Sequence, residues 1–90
     1  MLTTVKFTEY DISNDNFEFE VIEDDAAPYK LNVSGTSIAI IFQSLTDGSD
    51  VAARERCIAM CLEEVDEEGD STGEYTYSDP CELVGAVASM

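Results

Sequence analysis

The chain has no histidine, and its only basic residues are Lys6, Lys30, Arg54 and Arg56, four among ninety. Without histidine, a serine or cysteine nucleophile lacks its commonest general base. Carboxylates are plentiful, but they sit on polar segments where nothing raises a pKa for acid catalysis. No glycine-rich phosphate loop is present, and a bound nucleotide would find few cations. The longest uninterrupted apolar run, Cys57 to Leu62, is six residues, against the ~20 that a membrane span requires. Met1 is followed by Leu2, Thr3, Thr4 and Val5, without the basic and apolar regions of a signal peptide. Cys57, Cys61 and Cys81 are an odd number without secretory context. Reduced thiols in a cytoplasm are therefore expected, and a non-enzymatic role.

What the chain has is acid. Twenty carboxylates give a formal net charge of −16, yet 44% of the residues are hydrophobic. That content separates it from the apolar poverty of disordered acidic chains. Residues 1–90 read as a single acidic α+β domain with a small core. Such a surface repels nucleic acid and anionic membrane and attracts basic protein. A chain of 9.8 kDa exposes roughly 5,000 Å² when folded. Crowded onto half of that area, most of the acids reach one per about 130 Å², near the roughly 110 Å² per charge of a DNA duplex. Spread evenly, the net charge falls to one per about 320 Å². Clustering decides between the two.

Residues 3–9 alternate, with Val5 and Phe7 on one face. Residues 16–23 alternate more clearly, placing Phe17, Phe19 and Val21 inward and Glu18 and Glu20 outward. The turn-forming stretch from Asp11 to Asn16 predicts a hairpin between them. A third strand follows Pro28, carrying Tyr29, Leu31 and Val33 on one side. Beyond Gly35 the period changes: Ile38, Ile41, Phe42 and Leu45 fit a helix capped by Thr36 or Ser37. A strand with Ile38, Ile40 and Phe42 is the rival reading. A second helix, capped by Ser49 or Asp50, carries Val51, Ile58, Cys61, Leu62 and Val65 and runs to about residue 67. Glu74 to Tyr77 reads as a short strand. Asp79-Pro80-Cys81-Glu82 has helix-start chemistry, which predicts a short C-terminal helix over Leu83 to Met90. The expected fold is α+β: an antiparallel sheet of three to four strands against two main helices, with that short helix at the end.

Two acidic clusters break local rules. Glu63, Glu64, Asp66, Glu67, Glu68 and Asp70 fall at the C-terminal end of the second predicted helix. The helix dipole disfavours carboxylates there by roughly 0.3–1 kcal/mol each. Glu63–Glu67 and Glu64–Glu68 add like-charge pairs costing about 0.2–0.5 kcal/mol apiece. Sacrificed local stability marks a place where function is expected; a solvated helix end is the plain alternative. The other cluster is Glu9, Asp11, Asp15, Glu18, Glu20, Glu23, Asp24 and Asp25. Outward carboxylates such as Glu18 and Glu20 stand about 6.6 Å apart on a strand, comparable to phosphate spacing along nucleic acid. Protection of a sheet edge explains that pair equally well.

No metal or cofactor is implied. Asp11-x-Ser13-x-Asp15 begins like a calcium loop, but Asn16 stands where glycine is needed and Ile22 where the bidentate glutamate belongs. Asp66-x-Glu68-x-Asp70 fails likewise, with Ser71 and Tyr77 at those positions. Three thiols fall short of a zinc or iron–sulfur ligand set, so the cysteines are expected to pack as small hydrophobes.

In size, acidity and β/α layout the chain resembles phage-encoded anti-CRISPR proteins and other DNA mimics, a class without a shared motif. The resemblance implies binding without turnover: carboxylates fill the basic groove of a nucleic-acid-binding protein, such as a CRISPR effector, in a host bacterial cytoplasm. The expected contact residues are Glu63, Glu64, Asp66, Glu67, Glu68 and Asp70, with Glu18, Glu20, Asp24 and Asp25 as a second part. The alternative is an adaptor that binds a basic partner without displacing nucleic acid. A halophile-type domain, with acidity serving solvation, is a third reading.

Overall fold

The protein is described here by a computed structural model covering residues 2–62 and 80–90. Strands β1 (Thr3–Asp11), β2 (Asn16–Glu23) and β3 (Tyr29–Ser34) are followed by helices α1 (Gly35–Thr46) and α2 (Ala53–Leu62). A 3-10 turn (Pro80–Leu83) and strand β4 (Val87–Ser89) complete the described chain. All pairings in the sheet are antiparallel, in the order β3-β2-β1-β4. This is the expected α+β architecture, a small sheet and two helices.

Alternation decides which face is buried. Val5, Phe7, Phe17, Phe19 and Val21 are fully buried on the inner face. Phe7 lies 5.2 Å from Phe19 and 5.8 Å from Phe17, ring centre to ring centre. Such tilted aromatic contacts add to the gain from burial. Ile38, Phe42 and Leu45 of α1 and Cys57, Ile58, Cys61 and Leu62 of α2 close the core from the helical side. β1 carries a bulge: the register slips between Phe7↔Phe19 and Glu9↔Glu18. Strict alternation would have turned Glu9 inward and Tyr10 out. The extra residue, Thr8, reverses this, and Tyr10 packs on Phe17 at 4.6 Å while Glu9 stays exposed.

The helical reading of residues 38–45 holds. Ile40 is 57% exposed, where the strand alternative would have buried it beside Ile38 and Phe42. The cap sits earlier than expected: Ser34, still extended, accepts from the Ser37 N–H at 3.2 Å. At the other end Ser49 N–H donates to Ser44 and Gly48 N–H to Leu45, with Gly48 at φ +76°. That is a Schellman closure, whose left-handed residue favours glycine. α2 begins at Ala53, three residues after the expected Asp50 cap, with Ala52 C=O accepting from Arg56 N–H at 3.0 Å. Its predicted continuation to residue 67, and the strand predicted at Glu74–Tyr77, lie outside the described residues.

The C-terminal segment departs from expectation. In place of a helix over Leu83–Met90, the chain makes a 3-10 turn, reverses at Gly85 (φ +103°) and pairs with β1. Thr3 and Met90 exchange two backbone bonds of 2.9 Å, and Gly85 N–H and Ala86 C=O bond the two backbone groups of Phe7. The free edge of β1 supplies partners in register, whereas a short terminal helix must pay nucleation with few bonds to gain. The cysteine reading holds for two residues of three: Cys57 and Cys61 are buried, and Cys81 is exposed.

Two measurements check this core. Phe19→Ala should lower unfolding free energy by about 3–5 kcal/mol in denaturant titration, and a loss below 1 kcal/mol would contradict the packing. Burial pushes the Cys61 thiol up to about 11 and raises Cys57 as well. Native protein should therefore be alkylated by iodoacetamide at Cys81 only, with Cys57 and Cys61 reacting after denaturation, as read by peptide mass spectrometry.

Candidate acidic interaction surface

The direction of each element can be read from its contacts. Cys57 Sγ lies 3.7 Å from the carbonyl of Thr3, and Cys61 Sγ 3.5 Å from that of Val5. α2 therefore runs alongside β1 in the same sense, and Leu62 points toward the end of the sheet where β1 turns into β2. The 3-10 turn packs on β1 and α2, with Gly85 bonded to Phe7. Cys61, one residue before Leu62, sits beside Val5 in the first half of β1, and Gly85 sits beside Phe7 at its middle. In sequence, positions 63–79 hold eight carboxylates and no basic residue.

The hairpin end is itself acidic, with Glu9, Asp11 and Asp15. Asp11 accepts from the Ser13 N–H at 3.0 Å and from Asn14 Nδ2 at 2.7 Å. The Asn14 bond, aided by backbone N–H groups, holds its carboxyl below the usual range. Asp15 is left-handed (φ +49°) and accepts from the Tyr10 hydroxyl at 2.9 Å, the main reason the Tyr10 phenol is raised. Its carboxylate fills the space that a Cβ on Gly35 would take, and the Gly35 N–H donates to the Asp15 carbonyl at 3.0 Å. A Cβ at that position would push the Asp15 carboxylate aside. These bonds hold the carboxylates of Asp11 and Asp15 within the turn, with Asp15 exposed and Asp11 half-exposed. Asp11-x-Ser13-x-Asp15 is thus turn chemistry, and among the described residues no cluster of three His, Cys, Asp or Glu is arranged to hold a metal.

Glu18 and Glu20 stand on the outer sheet face, as alternation predicted, but lysines stand among them. Lys6 and Lys30 flank Glu20 in register on β1 and β3. Lys30 Nζ lies 3.8 Å from Glu18, whose other oxygen accepts from the Thr8 hydroxyl at 2.8 Å. This strip is charge-balanced. It does not extend an unbroken anionic surface.

Asp24 and Asp25 lie at the opposite end of β2, in the turn to β3. Asp24, at φ +53°, accepts from the Leu2 N–H at 2.9 Å and fastens the start of β1. Nearby, Tyr29 donates to Glu23 and accepts from Arg54, which also pairs with Glu55 at 3.2 Å. The second predicted patch is therefore divided between a mixed-charge strip and a far end that contains an arginine. Glu63, Glu64, Asp66, Glu67, Glu68 and Asp70 lie outside the described residues. Glu9, Asp11 and Asp15 belong to the second acidic cluster of the sequence but are not among the expected contact residues. The absence of any lysine or arginine from positions 7–29 was the available signal.

All four cations of the chain are accounted for away from the tip. Lys6 and Lys30 occupy the outer face; Arg54 and Arg56 belong to the first turn of α2, where Arg56 Nε donates to the Val51 carbonyl at 3.2 Å. No helix among the described residues is long and apolar enough to cross a membrane. No protein-family model matches the chain, nor does any curated protein or solved structure.

The Asp11 geometry has a pH signature. Its folded pKa lies below the unfolded value of about 3.9, so its contribution is present above that value and lost as pH falls through the folded pKa. The Ser13 amide resonance should titrate with a midpoint below the reference value, and Asp11→Asn should abolish that transition. A midpoint at or above the reference would refute the turn as described.

Proposed function

We propose that the protein is a non-enzymatic acidic inhibitor that occupies the basic nucleic-acid-binding groove of a protein target and excludes DNA or RNA. A CRISPR effector or a restriction enzyme is the kind of target meant. The observation that carries this reading is the cation-free end of the fold. Glu9, Asp11 and Asp15 lie there, and in sequence positions 63–79 add eight carboxylates and no basic residue. Glu63, Glu64, Asp66, Glu67, Glu68 and Asp70 are the contact residues proposed from that run, with the tip acids as a further part of the contact. Glu18 and Glu20, interleaved with lysines, take a lesser part, and Asp24 and Asp25 serve the turn first. Long-range attraction would speed encounter and make it salt-sensitive, while a few apolar or aromatic contacts would set the final affinity.

The mixed-charge outer face favours a second reading, an adaptor that docks a basic partner without displacing nucleic acid. Alternating lysines and glutamates are ordinary protein-contact chemistry and lack the one-sign character of a mimic.

Affinity capture from a bacterial lysate, with and without nuclease, followed by competition with DNA or RNA for the captured protein, separates the two. An inhibitor competes, and simultaneous charge reversal of Glu63, Glu64, Glu67 and Glu68 to lysine weakens it on the order of tenfold or more, with circular dichroism unchanged. A ternary complex with nucleic acid still bound would favour the adaptor. Undiminished competition by the reversed variant would reject the acidic run as the contact.

A further inference from the structure

β3 is an edge strand whose outward backbone groups have no backbone partner among the described residues. Edge strands are normally blunted by charge, proline or a covering element. β3 has one lysine and no proline, and beside it runs an open groove of about 800 Å³ between the strand edge, α1 and the start of α2. Its apolar lining is Leu31, Val33, Ile41, Val51 and Ile58, with the exposed Ile40 at the rim.

We propose that the β3 edge and this groove dock an extended segment of a partner protein by strand addition. The segment turns apolar side chains toward Leu31, Val33 and Ile41 and carries a basic residue where it passes Asp50 and Glu55. Main-chain bonds to β3 supply affinity. The net charge of −16 selects a cationic segment and disfavours a second copy of this chain. Outward positions of the added strand lie beside Lys30, Asn32 and Ser34 and are polar. This goes beyond the acidic-surface reading, since it concerns a different face and main-chain recognition.

The probe is the peptide Arg-Val-Thr-Val-Thr-Val-Thr-Arg, titrated into the full chain and followed by amide and methyl NMR shifts. Two control peptides are N-methylated at the valines or at the threonines, so one of them blocks the edge facing β3, and a third has glutamate for arginine. Saturable shifts at Tyr29–Ser34 and at the Ile41 and Val51 methyls are expected. Affinity should fall about tenfold or more for one methylated peptide and for the glutamate peptide. Ile40→Ser, at an exposed rim position, should weaken binding without unfolding the chain. Equal binding of all peptides, shifts confined to the hairpin tip, no shifts, or β3 shifts that follow protein concentration alone would each overturn the proposal. The charge-reversed variant distinguishes the two sites: it should lose nucleic-acid competition and keep the peptide-induced shifts at β3.

Discussion

Burial of Phe7, Phe17 and Phe19 between the sheet and the two helices is the interaction on which the rest of this structure depends. A chain of net charge −16 carries a standing self-repulsion that favours expansion. Against it stands a core of five fully buried side chains on the sheet's inner face, closed by apolar residues of α1 and α2. Burying one such aromatic side chain is worth roughly 1.5–3 kcal/mol. The ring contacts also set the β1–β2 register, because a slip of β2 by one residue would move Phe17 and Phe19 to solvent. The bulge at Thr8 is the exception, and it serves the same end by bringing Tyr10 onto Phe17.

With the core holding the hairpin, the placement of charge follows from topology. β1 and β2 cannot turn without a loop, and the loop's hydrogen-bonding side chains are aspartates and asparagines. The cations are drawn elsewhere: lysines to the outer face, where they relieve cross-strand repulsion, and arginines to the first turn of α2. Among the described residues the only direct carboxylate neighbours in register are Glu9 and Glu18, and Lys30 and the Thr8 hydroxyl offset that pairing from the Glu18 side. Such surface ion pairs add little stability. Their effect is to distinguish a balanced face from an unbalanced end.

Much of the fold was legible in the residues because two strong periods were present. Phe17, Glu18, Phe19, Glu20 and Val21 alternate without ambiguity, and Ile38, Ile41, Phe42 and Leu45 repeat at helical spacing. The C-terminal segment was misread for the opposite reason. Leu83 to Met90 are small and apolar, with no period to arbitrate, and Pro80 with Glu82 imitated a helix start. Its partner strand lies some eighty residues earlier in the chain, so no local pattern could announce the pairing.

The residues by themselves determined the sign and strength of the surface, the two helices, the first three strands and the inward phenylalanines, since each depends on local alternation or on charge that any fold must carry. Only the tertiary structure decided that Lys6 and Lys30 stand among Glu18 and Glu20, and that β4 closes one edge of the sheet while β3, among the described residues, pairs only with β2. Those outcomes depend on which strands become neighbours. Neighbours in a sheet are chosen by long-range burial and backbone pairing, which no stretch of sequence expresses alone.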